Sequence, residues 1–384
     1  MLHLNAGNLY GGVETFLTTL ARLRHLCPGM QPHFGCCFEG RFSQELAAAG
    51  VPVSILGGEG EWRVRLSRPR TVGFARRRLR DLLENERFDL VVCHMAWSLV
   101  VFSRTAQSAG IKVALWEHGP HHKKNWLEWL AGRMRPDICI ANSNFTAEIT
   151  RKSFPRTPVR VIYYPVALQY PPEADRWRAE LRREMKVDSD TTVILQVSRM
   201  EPWKGHLLHL EALSRLKTTG KWTCWIAGGP QKTNEQKYFL ELQKAVKQLG
   251  IVDRVRFLGQ RTDVPKLLAA ADIFCQPNQD PEPFGIVFIE GLWAGKPVVT
   301  VAMGGGLEII DDTCGVLTKP RDPDDLAEAL SRLVDLPEWR EQLGCSGPAR
   351  ARRLCDPSAR MEEIRQLWST EKARAAGTRS SGET

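Results

Sequence analysis

Thr192-Val193-Ile194-Leu195-Gln196-Val197-Ser198-Arg199-Met200-Glu201-Pro202-Trp203-Lys204-Gly205 decides the fold. Its first six residues, rich in β-branched and aliphatic side chains, read as a strand; a short polar loop follows, and a helix is expected from Gly205. A strand that hands the chain to a helix in this way is half of a parallel βαβ unit. The pattern continues downstream, with strands at Thr223–Ala227, Arg254–Leu258, Ile273–Gln276, Pro297–Val301 and Gly315–Leu317. Helices are expected between them from Glu235, Val264, Gly285 and Leu307, and after them from Pro323 and Pro337. Upstream, Met1–Leu4, His33–Phe38, Val51–Leu56, Leu90–Cys93, Lys112–Trp116, Ile138–Ala141 and Val159–Tyr163 read as strands. Helical spacing appears in Phe16, Leu17, Leu20, Leu23 and in Phe74, Leu79, Leu82, Leu83.

Strand–helix alternation of this kind implies an α/β protein with doubly wound parallel sheets. At 384 residues the chain suits two such domains. Between them, Tyr164-Pro165-Val166-Ala167-Leu168-Gln169-Tyr170-Pro171-Pro172 admits neither a helix nor a central strand. Residues 1–165 therefore read as one Rossmann-like domain and residues 173–355 as a second. Ser358–Ser369 reads as a last helix, and residues 372–384, dominated by Ala, Gly, Ser, Arg and Glu, are expected to be disordered. No run of eighteen apolar residues suggests a membrane span. Met1-Leu2-His3-Leu4-Asn5 reads as a strand rather than a signal peptide, so a cytoplasmic protein is expected. That strand is short at its start, and a residue or two is expected ahead of it.

Ten cysteines without a C-x-x-C pair, six of them in strand-like runs (Cys36, Cys37, Cys93, Cys139, Cys224, Cys275), argue for reduced, buried thiols rather than zinc or disulfides. The formal net charge is +9. Arg63, Arg65, Arg68, Arg70, Arg76, Arg77, Arg78 and Arg80 crowd one stretch, with Lys123 and Lys124 further on. Such a cluster suits a peripheral contact with an anionic membrane face or a polyanionic acceptor; a solvated helix with Arg on its outer face is the alternative. No nucleic-acid partner is expected.

Chemistry concentrates in Glu282-Pro283-Phe284-Gly285-Ile286-Val287-Phe288-Ile289-Glu290 and in the Arg199–Lys204 loop. If a helix opens at Gly285, Glu282 precedes its first turn and Glu290 lies about one and a half turns inside. The two carboxylates then stand on the order of 10 Å apart. That separation matches the two sugars of a nucleoside diphosphate sugar, whose hydroxyl pairs carboxylates accept. Arg199 and Lys204 supply the charge that a diphosphate needs. Ligands of parallel sheets bind beyond the carboxyl ends of the strands, and each of these motifs falls at such an end.

The pattern resembles the retaining glycosyltransferases of family 4, which have a GT-B fold and carry an E-x7-E element preceded by R-x4-K. Glu282, Phe284, Gly285 and Glu290 match the first element; Arg199, Lys204 and Gly205 match the second. Gly11-Gly12-Val13-Glu14, Glu117-His118-Gly119 and Gly304-Gly305-Gly306-Leu307-Glu308 stand where that family places comparable motifs. The resemblance implies that Glu282 holds hydroxyls of the transferred sugar, with Phe284, Gly285 and Ile286 offering N–H groups nearby. It implies that Glu290 holds the ribose, with Val287 packed beside it, and that Gly12 lies by the donor phosphates. It further implies that His118 approaches the transferred sugar, and that the terminal helix, residues 356–371, crosses back onto the first domain.

No metal and no cofactor are expected, because Arg199 and Lys204 can meet the charge developing on the leaving phosphate. The partners expected are a nucleotide sugar and a hydroxyl acceptor. Trp203 either stacks near the base or fills its loop, and the base is expected against the loop that includes Gly259. Gly304–Gly306 either touch a substrate or only make a turn, and Arg199 could simply pair with Glu201. Tyr163-Tyr164-Pro165 departs from the family, where Asn-Gly is common at the linker. A sugar-nucleotide epimerase, a phosphorylase on the same fold and a non-catalytic sugar-nucleotide-binding protein remain open at this point.

Overall fold

The computed structural model describes residues 1–7, 11–119, 125–166 and 171–367. It divides into two compact units, Met1–Ala167 with Cys355–Thr384, and Leu168–Leu354. The first unit carries seven parallel strands: β1 (Leu2–Asn5), β2 (His33–Cys36), β3 (Val53–Ile55), β4 (Leu90–His94), β5 (Lys112–Glu117), β6 (Ile138–Ala141) and β7 (Val159–Val161). Their order is β3-β2-β1-β4-β5-β6-β7. The second carries six, β8 (Thr192–Val197), β9 (Trp222–Ala227), β10 (Val255–Gly259), β11 (Ile273–Gln276), β12 (Val298–Val301) and β13 (Gly315–Thr318), ordered β10-β9-β8-β11-β12-β13. Every strand expected from sequence is present, and no end moves by more than two residues.

Each strand order reverses once, between β1 and β4 in the first sheet and between β8 and β11 in the second. The loops that leave these strand pairs diverge to opposite faces and open a crevice at the carboxyl edge. The central strands are buried and mostly apolar. Leu2, Leu4, Val91, Cys93, Val113 and Leu115 pack one core, and Ile194, Ile226, Ile273 and Val299 the other. All ten cysteines are free, nine of them buried and Cys345 exposed. Burial pushes the thiol of Cys36 up to about 12, which keeps it protonated and unreactive.

Of the helices that sequence reasoning passed over, two have plain physical explanations. Met95–Ser108 is so evenly apolar that no helical period stands out, and eight of its residues are buried. Ala174–Glu184 is the opposite case, with only Ala174, Leu181 and Arg182 buried. It docks through charge. Arg178 and Arg182 both pair with Asp272 and donate to the carbonyls at the end of the helix Val264–Ala270. Burial alone would raise Asp272, yet the two guanidiniums and the Val193 N–H hold it below its usual range.

In the first unit a helix runs from 357 to 367, where Met361 and Ile364 are buried, and Val166 N–H donates to the Cys355 carbonyl. Residues 368–384, which include the end of the expected last helix and the expected disordered tail, lie outside the described residues, as do His121, His122, Lys123 and Lys124. No helix among the described residues is long and apolar enough to cross a membrane.

Candidate functional site

In the second unit the candidate residues stand on either side of the β8/β11 reversal. The loop after β8 bends through a 3-10 turn, Pro202–Lys204, into Gly205, whose φ is +74°. A Cβ there would lie 1.7 Å from the Pro277 carbonyl oxygen, so only glycine permits the approach. Gln279 N–H donates to the Trp203 carbonyl at 2.7 Å and seals the two loops together.

That contact brings Lys204 and Glu282 into an ion pair, Nζ to Oε2, of 2.7 Å. Asn278 donates to the same carboxylate oxygen at 2.8 Å, which leaves Oε1 without a hydrogen bond among the described residues. Lys204 Nζ also lies 3.8 Å from the centre of the Trp203 ring, whose N–H is held by Glu201. Trp203 thus braces the lysine. Beneath the loops, Gln196 donates to the Lys204 carbonyl, and the buried side chains of Gln276 and Asn278 leave polar atoms unpartnered among the described residues. Such groups ask for a ligand or water.

Arg199 is tied down more firmly than its sequence context suggests. Its Nη2 contacts Glu201 at 3.1 Å, the surface pair considered above, and also Glu235 at 2.5 Å. Glu235 is buried in the first turn of Thr233–Gln248. Burial would raise that carboxyl, but the Gln231 N–H and Arg199 outweigh it and keep it low. Arg199 therefore presents one face to protein, and its side chain remains 28% exposed.

Helix Ile286–Trp293 begins after Gly285, which caps it at φ +102°. Its first N–H groups have no partner inside the helix, and the positive end of the dipole lies beside Glu282 and Phe284. Gly304 to Gly306 pack behind this segment. Gly305 N–H donates to the Glu282 carbonyl at 2.7 Å, and Cβ atoms at Gly304 and Gly305 would fall 2.5 Å from the Glu282 carbonyl oxygen and 2.6 Å from that of Phe284. The glycine run is thus a backing for Glu282 rather than only a turn. Glu290 lies inside the helix, with Val287 and Ile286 half-buried near it in sequence. It keeps some surface open to solvent, but protein crowds its carboxyl on nearly every side. Desolvation raises it to about 7, and it has no hydrogen bond or ion pair among the described residues.

In the first unit Gly11 caps helix Gly12–Arg22, and its N–H is taken by Glu14 at 3.0 Å. Asn5 holds the other oxygen of Glu14. Gly12 is exposed at the helix start. Both ring nitrogens of His118 are occupied: Nε2 by His94 at 2.8 Å and Nδ1 by the Tyr164 hydroxyl at 2.5 Å. It is buried, and burial keeps it neutral.

Sequence reasoning missed Glu235, Asn278, His94, Asn142 and Tyr164. All but Asn278, which lies four residues before Glu282, support a named residue from a distant part of the chain, and only the placement of Asn278, His94 and Asn142 at or just after strand ends signalled any of them.

The two halves match different family models: residues 10–170 match "Glycosyltransferase Family 4" and residues 178–350 match "Glycosyl transferases group 1". A D-inositol 3-phosphate glycosyltransferase of Salinispora tropica is 30% identical over 66% of this chain and 53% of its own. Human alpha-1,3/1,6-mannosyltransferase ALG2 is 27% identical over 73% of each. The chain thus spans about half the length of the bacterial relative. Among solved structures, Anabaena Alr3699/HepE in complex with UDP and glucose superposes with a TM-score of 0.82 at 25% identity, over 96% of this chain and 99% of that one. Sucrose-phosphate synthase of Thermosynechococcus elongatus, at 19% identity and a TM-score of 0.79, shares the fold. The chain thus has the GT-B fold over nearly its whole length, and each of its halves matches a glycosyltransferase model.

Proposed function

We propose that the protein is a retaining, metal-independent glycosyltransferase that moves a hexose from a nucleoside diphosphate sugar to a hydroxyl acceptor. The observation that carries this reading is the Lys204–Glu282 pair at the β8/β11 reversal, with Arg199 on the same loop as Lys204 and Glu290, whose carboxyl has no partner among the described residues, on the helix that follows Glu282. Lys204 and Arg199 face the diphosphate, the N-terminal end of Ile286–Trp293 adds N–H donors, Glu282 takes hydroxyls of the hexose through Oε1, and Glu290 takes those of the ribose. During transfer the bond from the anomeric carbon to the phosphate oxygen breaks. The acceptor oxygen bonds to the same face of that carbon, and its proton passes to the departing phosphate. The two cations stabilise the charge that builds on that phosphate, which grows toward the transition state. No protein nucleophile is required.

A UDP-hexose is the donor to test first, because the Anabaena relative is bound to UDP and glucose. In a thermal-shift panel of UDP-, GDP- and ADP-sugars, one donor at a hundred times its Kd stabilises the protein by about 2.7 kcal/mol and raises Tm accordingly. A flat response to all three at millimolar concentration overturns the donor assignment.

A cytoplasmic protein that docks on an anionic membrane completes this reading. Arg63, Arg65, Arg68, Arg70, Arg77, Arg78 and Arg80 are exposed, and no ion pair holds any of them among the described residues. No acidic residue interrupts the stretch from 63 to 80, and Trp62, 52% exposed, lies against Phe74 on the same segment. Each arginine near an anionic surface contributes about 1 kcal/mol, so replacing Arg70, Arg77 and Arg80 with Gln weakens co-sedimentation with phosphatidylglycerol vesicles about a hundredfold. Equal binding to neutral vesicles sinks the idea.

A further inference from the structure

From within β1 to the carboxyl edge of the first sheet runs a row of hydrogen-bonded rings that the transfer chemistry does not use. His3 on β1, His94 at the end of β4 and His118 just after β5 stand on three adjacent strands. His3 Nδ1 lies 3.0 Å from His94 Nε2, and His94 Nδ1 lies 2.8 Å from His118 Nε2. His118 Nδ1 meets the Tyr164 hydroxyl, which Asn142 Nδ2 approaches at 2.9 Å. Successive imidazoles are near-parallel, with centroids 5.2 and 5.1 Å apart. Phe16, from the helix that Gly12 opens, stacks on Tyr164 at 4.4 Å and leans on His118 at 5.5 Å. Met95, directly after His94, holds φ at +69°, a strained value for a side chain of its kind.

The chemistry of the row follows from burial. His3, His94 and His118 are all buried, and desolvation lowers all three, His94 to about 3. Each ring is therefore neutral, with one N–H and one bare nitrogen. A hydrogen bond between two such rings needs one of each, and both links join an Nδ1 to an Nε2. All three rings must then share one tautomer, and no ring can reverse alone without breaking a buried hydrogen bond. At the Tyr164 end, the Asn142 N–H occupies the phenol oxygen, and the phenol proton turns to His118 Nδ1. Each imidazole proton then sits on Nε2, and the last of them, on His3, has no partner among the described residues.

We propose that His94 and Tyr164 are positioning residues for His118, acting through this single tautomeric row to hold the turn at His118-Gly119 in one shape during transfer. The proposal rests on the reading that this turn faces the transferred sugar. It is tested on the full-length protein labelled with 15N-histidine, by long-range 1H–15N spectra and by steady-state kinetics. In the wild type, three neutral imidazoles with the proton on Nε2 are expected from pH 8 down to pH 5. Tyr164→Phe, which removes one hydroxyl, shifts the resonances of His94 and His3, which it does not touch. It also lowers kcat about tenfold while donor KM stays within about twofold. His3→Phe, at the opposite end and with its ring still against Phe34, shifts His118 two rings away, so the row is read even if one variant fails to fold. Changes confined to the ring beside each substitution, or an unchanged kcat in Tyr164→Phe, overturn the proposal. A wild type that responds to no donor overturns the transfer reading instead, and the coupled resonances remain readable without it.

Discussion

Lys204→Ala lowers kcat/KM for the donor by about 10²- to 10³-fold, the loss seen when one fixed donor to a developing oxyanion is removed. Most of the loss falls in kcat, because the charge on the leaving phosphate is largest in the transition state. The same substitution acts on stability by a separate route. The pair it breaks is 12% and 13% exposed, and Glu282 is left with Asn278 as its only partner among the described residues. A largely shielded carboxylate without its cation costs on the order of 1–3 kcal/mol, less than a fully buried one. The double variant Lys204→Met/Glu282→Gln removes both charges and restores the urea midpoint, because no unpaired ion remains. It does not restore turnover. Kinetics within tenfold of wild type in Lys204→Ala would remove this lysine from the mechanism whatever its effect on folding.

The separation of these two effects bears on what the chain reveals before it is folded. Strands were legible because their side chains are apolar and β-branched and their ends carry Gly, Pro or polar loops; β6, β8 and β11 fall on the expected residues at both ends. Motifs were legible as positions on the carboxyl edge. Partnerships were not. Lys204 and Glu282 are 78 residues apart, and nothing in either segment states that they bond rather than stand apart to receive a ligand. The same holds for Arg199, whose strongest partner, Glu235, lies on a helix 36 residues later and looks from sequence like an ordinary acid of a first turn. The ring row is the extreme case, since its five residues come from five different strands or the loops just after them, and the tyrosine read from sequence as a departure at the linker. Helix Ala174–Glu184 was hidden for a related reason: its docking energy comes from two arginines on one aspartate, and a search for apolar periodicity is blind to that.

Glu290→Gln raises donor KM about tenfold or more at pH 8, leaves kcat within a few-fold, and abolishes a pH dependence that the wild type shows near neutrality. Ribose hydroxyls donate to the ionised carboxylate, so donor binding competes with protonation of a group poised at about 7. Donor affinity therefore falls about tenfold for each pH unit below that value and levels off above it. His206 and His209, also in the second unit, are held by burial near 4 and 3 and stay neutral through this window. For folding the sign is opposite to that of a salt-bridged acid. The folded pKa of Glu290 is raised above the ordinary glutamate value of 4.5, so between pH 4.5 and 7 the native state binds more protons than the unfolded chain. Its contribution to stability consequently declines as pH rises through that window, by at most about 3 kcal/mol at 1.36 kcal/mol per unit. Glu290→Gln cannot ionise, so it gains stability on the wild type between pH 4.5 and pH 8, the range over which the wild type gains donor affinity and the variant does not. Stability and function then move in opposite directions at one residue, as expected where a carboxyl is held desolvated in order to meet a ligand. Urea melts and donor titrations of both proteins across pH 5 to 8 measure the two slopes. A wild-type KM profile that persists unchanged in Glu290→Gln assigns the titration to another group and removes Glu290 from the ribose.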